Sequence, residues 1–597
     1  MNRIRKVLLW LVAAASLGTL VGTAYAQQTT LNYSSSALFI WTDKYVYSPG
    51  EAITLRFTGR GNADPSIYTT VVYLQNNQTG DKTYFKIGGA PSSTAVDIYG
   101  QAPGSFTGVQ FGDITKSVMI GSGGWLASST LAPASLGMHT FVMEVRDVTG
   151  GRVVKAAYAK IGVVSGVDTL SGPLSSDTTL VNTRAYNLSG VVTVTSGATL
   201  TIQPGTFIFG LPGSAPPSML LIGVNGKIRA EGTRSRPITM TSSQPIGNRA
   251  PGDWGGLVLL GKAQVNVVGG TNNIEGLAPS ADTTYGGSDN THDCGTLAYV
   301  RVEFGGSILS ANNEINNITW GACGSKTVSH HLESRYGLDD MFEWFGGVND
   351  AKYLVGEFGR DDYLDGQLGW SGRLQHGVMV AGNTPVHGNR GIDMDNSEFN
   401  DRAAPLGKPQ MYNITFVGSG DVETAGFDEA DSSAIYLRRG AAGAYNNLLL
   451  FNWAVNGVSV RNNSGSTATT ESITRGDLSM NGIMMWDNGK ASGRVNTING
   501  QAADFTTTNN VAARDLLNGV IGNGKNVVVA DPLMRRPLFK SDPDFLPKPG
   551  SPIFRANWVQ PPDDGFFDQW ARWNGAFGDF DWTEEWTVWA LEADLKP

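Results

Sequence analysis

The stretch Tyr186–Gly210 reads "YNLSGVVTVTSGATLTIQPGTFIFG", a series of very short apolar runs that each end at Gly, Ser or Pro. The pattern continues in Ser218–Ser242, "SMLLIGVNGKIRAEGTRSRPITMTS", and in Pro251–Asn266, "PGDWGGLVLLGKAQVN". Strands this short, repeated without helical periodicity, are typical of a parallel β-helix, in which each coil stacks on the one before it. A β-sandwich built from the several hundred residues that show this pattern would need longer strands with alternating apolar and polar residues. The sequence therefore predicts a parallel β-helix domain over residues 171–560.

Composition supports an all-β protein with more than one unit. The chain has 597 residues, which is more than one compact core usually organises. Its 76 glycines suit a protein with many tight turns, and 10% aromatic with only 16% charged residues argues against disorder. A formal net charge of −9 argues against nucleic acid or an anionic membrane as the partner.

The first 26 residues have the pattern of an export signal. Arg3, Arg5 and Lys6 precede an apolar run, and "TAYA" ends at Ala26 as an A-x-A cleavage site. We therefore expect a signal peptide over 1–26 and a protein that is secreted, extracellular or on the outer cell surface. No later run approaches the length that a membrane-spanning helix needs.

Residues 27–170 are predicted to form an immunoglobulin-like β-sandwich. Ala37–Gly59 alternates apolar and polar residues on both sides of the turn "SPGE", and further short β-rich runs follow. The segment Thr42–Phe57, "TDKYVYSPGEAITLRF", resembles the opening strands of macroglobulin-type and bacterial immunoglobulin-like domains. Such domains are usually spacers or adhesive modules, and this region contains no catalytic set.

Several motifs after residue 190 resemble a family of large secreted β-helix proteins that is abundant in Bacteroidetes-type bacteria. They include "TLTIQPGTFIFG", "GDWGGLVLLGKAQVN", "TLAYVRVEFGG" and the closing "GAFGDFDWTEEWT", in that order. The resemblance implies a right-handed, pectate-lyase-like solenoid at the cell surface or outside the cell. It implies no agreed reaction, so no catalytic residue is carried over.

Acidic residues recur at a fixed interval within Gly337–Gly369. Each of three acids is followed 22 positions later by another, because 361 − 339, 362 − 340 and 365 − 343 all equal 22. If 22 residues make one coil, the pairs stack at the strand spacing of about 4.8 Å. The candidate metal ligands are Asp339, Asp340, Glu343, Asp361, Asp362 and Asp365.

Stacked carboxylates need compensation, since each facing pair repels by about 3 kcal/mol at an effective dielectric near 20. Ca²⁺ is the predicted cofactor because it accepts six to eight oxygen ligands in loose geometry. The alternatives are a proton shared between the carboxylates, or counter-charge from Arg335, Arg360 or Arg373. A further alternative is that the acids accept hydrogen bonds from backbone N–H groups in turns.

Aromatic and basic residues near the acids are candidates for ligand binding. Trp344 and Trp370 lie near the acids in the sequence. Exposed Trp side chains beside acidic residues are typical of carbohydrate-binding surfaces. Arg373 and His376 follow in "RLQHG". The alternative is that "FEWFGG" inserts Phe342 and Trp344, which share one parity, into the core.

The last 37 residues, 561–597, are rich in Trp and are predicted to cap the open end of the solenoid. An uncovered end would expose unpaired strand edges and core side chains to water. Ligand binding is the alternative role of this segment.

The chain has two cysteines, Cys294 and Cys323. In an exported protein these favour a single disulfide. The alternatives are two buried thiols, or a zinc site that would also need His292, His330 or His331, whose spacing is not typical of one.

Two classes of function remain open. One is a structural or binding protein whose partner is a polysaccharide or a cell-surface component, with a calcium-stabilised solenoid. The other is a polysaccharide lyase or glycoside hydrolase acting on an acidic polysaccharide, for which the catalytic residues are unknown. An open groove where acids meet an unpaired Arg or Lys favours the enzyme, and a closed acidic site favours the structural protein.

Overall fold

A computed structural model describes residues 37–60, 68–86, 92–95, 114–120, 132–147, 151–213, 215–310, 313–382, 390–420, 432–489 and 527–595. The predicted signal peptide lies outside these residues. The N-terminal unit contains strands β1–β8: Ala37–Thr42, Val46–Tyr47, Ile53–Arg60, Tyr68–Asn76, Lys82–Phe85, Ile114–Ile120, Gly137–Asp147 and Val153–Val163.

These strands form two sheets that share one core. One sheet has the order β1-β3-β6, and the other has the order β2-β8-β7-β4-β5. Leu55 of the first sheet and Phe141 and Ile161 of the second lie in the same buried cluster. Alternating side chains of both sheets thus remove apolar surface from water between them. The immunoglobulin-like topology stays a prediction.

A second and much larger body follows. Its strands β9–β37 are Val167–Leu174, Thr178–Leu180, Ala185–Val194, Thr199–Ile202, Phe207–Gly210, Met219–Ile222, Lys227–Glu231, Ile238–Ser242, Gly256–Leu260, Thr271–Asn273, Thr284–Gly286, Gly295–Glu303, Ser307–Ser310, Asn313–Ile315, Ile318–Gly321, Val328–Arg335, Glu343–Phe345, Ala351–Glu357, Leu364–Gln367, Arg373–Val380, Arg390–Asp395, Gln410–Val417, Ser433–Arg438, Gly443–Asn446, Leu449–Phe451, Asn456–Val460, Leu478–Asn481, Ile483–Trp486 and Val527–Val529. One helix, α1, spans Ala468–Arg475.

Twenty-five of these strands belong to one sheet, while β18–β19 and β21–β22 form separate hairpins. Within the large sheet a strand pairs in parallel with strands of the coils before and after it, as β24 does with β20 and β26. This arrangement is a parallel β-helix, as the short Gly-punctuated strands predict. The turns between strands are short, and glycine provides the positive φ at several of them, including Gly197 and Gly205.

A column of tryptophans fills part of the solenoid core. The ring centroids of Trp320 and Trp344 lie 5.0 Å apart, and those of Trp344 and Trp370 lie 4.6 Å apart. Trp344 is 0% exposed and Trp370 is 1% exposed. The prediction that these two residues bind a ligand at the surface is therefore wrong, and the core alternative holds for both.

A second aromatic column marks a sharp bend within strands β20, β24, β26 and β28. Tyr299, His331, Tyr353 and His376 all have positive φ, between 50° and 59°, a region that bulky residues rarely adopt. Their rings stack on one another at centroid distances of 4.2, 4.4 and 4.8 Å. Each of these four coils thus places an aromatic side chain at the same corner.

The C-terminal segment, residues 531–595, contains β38 (Met534–Arg536), β39 (Asp544–Pro547) and the 3₁₀ turns Pro552–Phe554 and Glu592–Leu595. Its backbone is hydrogen-bonded to side chains of several successive coils. The contacts join Val559 to Asn447, Ala576 to Thr415, Asp568 to Gln375 and Val588 to Glu333. The segment therefore lies along the side of the solenoid. This corrects the prediction that 561–597 caps its end.

The lateral position has a hydrophobic cause. Valines on the outer face of the solenoid, such as Val355, Val378 and Val417, are buried in one cluster with Trp573, Trp582 and other residues of the C-terminal segment. The segment also reaches the N-terminal unit, where Tyr158 donates to Glu584 Oε1 at 3.1 Å. It thus connects both bodies of the molecule.

Cys294 and Cys323 form a disulfide, which confirms the favoured prediction. Both residues are fully buried in the solenoid core. The disulfide excludes the alternatives of free thiols and a zinc site on these cysteines. Among the described residues, the helices are all too short and too polar to span a membrane.

Candidate metal centre

The six predicted metal ligands lie along one column of stacked strands. Strands β23, β25, β27 and β29 pair in parallel, one per coil. Glu343 is the register partner of Asp365, and Asp365 is in turn the partner of Asp393. The 22-residue interval is therefore one coil at this position. The other predicted ligands lie in the turns just before β25 and β27.

Backbone hydrogen bonds join the turn before β25 to the turn before β27. The Asp362 N–H donates to Asp340 Oδ1 at 2.9 Å, and the Met341 N–H donates to the carbonyl oxygen of Asp362 at 2.9 Å. The Asp340 N–H donates to Asp339 Oδ1 at 3.1 Å. The turn-capping alternative thus holds for one oxygen each of Asp339 and Asp340. The second oxygen of each carboxylate is left for another partner.

These carboxylates are removed from water. The exposed fraction is 7% for Asp339 and Asp340, 4% for Glu343 and 3% for Asp362, while Asp361 and Asp365 are half-buried. Asp339 Oδ2 and Asp362 Oδ1 are buried and accept no hydrogen bond. An unpartnered buried oxygen is costly, and more so when it carries charge.

Burial and mutual repulsion raise the pKa values of the acids. Burial, and then the neighbouring Asp365 carboxyl, raise the pKa of Asp340 and of Glu343 well above the usual range. Burial and Asp361 do the same to the pKa of Asp339. The pKa of Asp361 itself is raised to about 6 by burial, against the lowering effect of Arg390. The ionised cluster therefore needs a compensating cation.

Three sets of acids place one oxygen from each member within 4.8 Å of the others: Asp339, Asp340 and Asp361; Asp340, Glu343 and Asp365; and Asp362, Asp365 and Asp393. Ligands on opposite sides of a Ca²⁺ ion are about 5 Å apart, since each lies 2.3–2.6 Å from it. Each set thus has the size of one calcium coordination sphere. Hard carboxylate oxygens without nitrogen or sulfur suit calcium better than zinc or copper.

Arginines neutralise the acids at one end of the column. Arg390 Nη1 lies 2.8 Å from Asp393 Oδ2 and 3.3 Å from Asp362 Oδ2. Arg438 pairs with Asp393 at 2.8 Å and with Asp395 at 3.2 Å. In the part of the chain that the structure describes, no ion pair includes Asp339, Asp340, Glu343, Asp361 or Asp365.

The arginines predicted as counter-charges are engaged elsewhere. Arg335 pairs with Glu357 at 2.9 Å, and Arg373 pairs with Asp350 and, at 2.8 Å, with Asp564. Arg360 takes part in none of the described ion pairs. None of the three pairs with the acids among the described ion pairs, so the alternative that they offset the acids gains no support from these contacts.

Sequence reasoning did not connect four further residues with the acids: Asp393, Asp395, Arg390 and Arg438. The next interval along the column is 393 − 365 = 28 residues, because a longer connection precedes β29. A strict search at 22 residues therefore could not find Asp393. The D-x-D alternation after Arg390 in "RGIDMDN" is the signal that could have found it, since it places both acids on one face of a strand.

Arg373 and His376 do not join the acids. His376 is 1% exposed, and its Nε2 lies 3.1 Å from Asp568 Oδ2 on the C-terminal segment. Arg373 pairs with Asp564 of the same segment. Burial lowers the pKa of His376, against the raising effect of Asp568. These contacts hold the C-terminal segment, and the ligand-binding role of the two residues stays a prediction.

The molecule is therefore a parallel β-helix protein with a buried acidic cluster on one column of strands. A family model of the pectate-lyase-like β-helix domain matches residues 172–528, which is more than half of the chain. The chain belongs to this family. No curated protein and no solved structure matches it.

Proposed function

We propose that this is an exported β-helix protein whose acidic cluster binds Ca²⁺ and thereby stabilises the solenoid. One observation carries the proposal: Asp339, Asp340, Glu343, Asp361 and Asp365 are packed together without an arginine or lysine partner among the described ion pairs. Ionisation of such a cluster is unfavourable unless a cation joins it.

Two neighbouring amides contact Glu343. Gln367 Nε2 donates to Glu343 Oε1 at 3.2 Å, and Gln367 Oε1 is buried without a hydrogen-bond partner. Asn316 donates to the other oxygen of Glu343. The Gln367 oxygen is thus an uncharged candidate ligand beside the carboxylates, of the kind that calcium accepts.

The charge pattern favours a structural or binding role over catalysis. A lyase needs an open groove in which a free Arg or Lys faces the acids. Here Arg390 and Arg438 are ion-paired, and four of the acids are at most 7% exposed. We therefore propose a closed calcium site that stiffens a scaffold.

The scaffold's partner is proposed to be a polysaccharide or another cell-surface component. The family's likeness to pectate lyases supports a carbohydrate partner, and the signal-like first 26 residues support export. The N-terminal unit is proposed to be an immunoglobulin-like spacer or adhesive module.

Thermal unfolding with and without calcium tests the proposal. Binding to the folded state alone raises the melting temperature as the free calcium concentration rises above Kd. Asp340→Asn keeps the Oδ1 that accepts from the Asp362 N–H but removes a charge. We expect this variant to melt above the wild type in EDTA and to gain much less from calcium.

Asp293→Asn is the matched control, since Asp293 is a partly exposed acid that pairs with Lys227 at 2.8 Å. Its calcium response is expected to equal that of the wild type. A wild-type melting curve that calcium does not move would refute the calcium site.

A further inference from the structure

Two of the three acid sets share a single residue. Asp339, Asp340 and Asp361 form one set, and Asp340, Glu343 and Asp365 form another. Within each set the oxygens lie within 4.8 Å, but the five residues do not form one set together. Since the ligands of one Ca²⁺ must fit within about 5 Å, one ion cannot bind all five carboxylates as they are placed.

The charge count leads to the same conclusion. Five ionised carboxylates carry five negative charges, and none of them takes part in a described ion pair. One Ca²⁺ leaves three of these charges uncompensated in a buried site, and a second Ca²⁺ leaves one. Repulsion between buried like charges is strong at low effective dielectric, so the second cation is favoured.

An unpartnered oxygen supports the first set independently. Asp339 is 93% buried, given its exposed fraction of 7%. Its Oδ1 accepts from the Asp340 N–H, while its Oδ2 has no hydrogen-bond partner. The second set has its own unpartnered oxygen in Gln367 Oε1, next to Glu343.

The third set differs from these two. Its members Asp362 and Asp393 share the Arg390 guanidinium, and Arg438 adds a further contact to Asp393 at 2.8 Å. Its third member, Asp365, also belongs to the second set. A cation there would be repelled by two guanidinium groups. The third set therefore serves as an internal control.

We propose that the cluster holds two divalent cations bridged by the Asp340 carboxylate, one with Asp339 and Asp361 and one with Glu343 and Asp365. The proposal rests on the calcium function above and adds its stoichiometry and its bridging residue. The arginine-paired acids Asp362 and Asp393 close the site on the side of the later coils.

Equilibrium dialysis of the full chain against buffered Ca²⁺, with bound metal measured by mass spectrometry, tests the proposal. Two ions per chain are expected for the wild type at saturation. Asp339→Asn and Glu343→Gln are each expected to weaken one ion on the order of tenfold or more. Each should therefore bind one ion at a concentration that saturates the wild type. Asp340→Asn should weaken both, and Asp393→Asn should still bind two.

The outcomes separate the two proposals. One ion per wild-type chain overturns the two-ion site but keeps the calcium function, while none overturns both. Loss of one ion in Asp393→Asn places the second cation in the third set and overturns the bridging role of Asp340. Circular dichroism of each variant shows whether it is folded. If a variant is unfolded, energy transfer between Tb³⁺ and Eu³⁺ bound to the wild type decides: transfer supports two adjacent ions, and its absence overturns them.

Discussion

Asp340 combines a favourable contact with an unfavourable charge. Its Oδ1 accepts from the Asp362 N–H at 2.9 Å, which joins two successive coils. The same carboxylate is buried beside Asp365, Asp339 and Glu343, so its pKa is raised well above the usual range. The hydrogen bond needs only an oxygen, whereas the charge needs a cation. The two contributions can therefore be separated by an Asn substitution.

We predict that the metal-free protein loses stability as pH rises. A pKa raised in the folded state means that the folded chain holds more protons than the unfolded chain above about pH 4. The free energy of unfolding then falls as pH rises from about 4 through the folded pKa values, which include about 6 for Asp361. Urea unfolding in EDTA between pH 4.5 and 7.5 measures this decline. Saturating calcium should reduce it.

Other groups titrate in this range, so the comparison with Asp340→Asn isolates the cluster. Burial lowers the pKa of His331 to about 3 and so contributes with the opposite sign, while Glu333, with a pKa raised to about 7 mainly by burial, contributes with the same sign. These contributions cancel between variant and wild type because they lie outside the cluster. A variant whose stability falls as steeply with pH as that of the wild type would contradict the prediction.

The stacking of Glu343 on Asp365 could be predicted from the sequence, because equal spacing of three acid pairs implies one repeat length. The ion pairs of Arg390 and Arg438 with the acids could not be predicted from the sequence. They depend on connections of unequal length between coils, which bring residues 28 and more positions apart into register. No short sequence motif predicts which residues of successive coils are in register.

At the scale of one coil, β25 separates two adjacent residues by the alternation of a strand. Glu343 joins the acidic cluster, and Trp344 points into the core between Trp320 and Trp370. A strand places neighbouring side chains on opposite faces. The acid and the tryptophan next to it therefore have separate roles, although they are adjacent in the sequence.

We predict that Trp344→Ala destabilises the protein by about 3–5 kcal/mol, the usual range for removal of a fully buried aromatic side chain. Trp570→Ala is the matched control, because Trp570 is 48% exposed on the C-terminal segment. Its effect should be smaller than that of Trp344→Ala, since only about half of the Trp570 surface is buried. Urea midpoints of the two variants measure the difference. Equal losses would mean that the tryptophan column does not carry core packing.

At the scale of strands and turns, part of the structure could be predicted from the sequence. Short strands and turn glycines predict a solenoid, and the two cysteines predict the disulfide. The aromatic corner at Tyr299, His331, Tyr353 and His376 was not predictable, since positive φ is rare for bulky residues. The parallel register of the coils stacks these four positions, and their rings then pack on one another at centroid distances of 4.2–4.8 Å.

At the scale of the whole molecule, the C-terminal segment contacts both bodies: Tyr158 and Lys155 of the N-terminal unit pair with Glu584 and Asp542, and other contacts reach the solenoid. Asp568 accepts from Lys352 Nζ and Tyr353 OH, each at 2.9 Å, and contacts His376 at 3.1 Å. Further along, Glu592 is in contact with the fully buried Arg249 at 2.6 Å. The general rule that solenoids need end caps suggested an end position. The continuous apolar runs "HGVMVAG" and "NNLLLF" were the contrary signal, because strands that are apolar on both faces are covered on both.

Removal of residues 561–597 should therefore expose the side of the solenoid. The buried outer valines Val355, Val378 and Val417 would face water, so we expect the truncated protein to bind a hydrophobic dye such as ANS. Amide exchange should accelerate in β24, β26, β28 and β30, the strands that the segment covers. An end cap would instead protect mainly the last coil, around β35 and β36. Faster exchange confined to that coil would refute the lateral position.

Asp568→Asn is a milder test that keeps the backbone contacts of the segment. It should accelerate exchange mainly in β26 and β28, because Lys352, Tyr353 and His376 lose their shared acceptor charge while the contact of Glu592 with Arg249 remains.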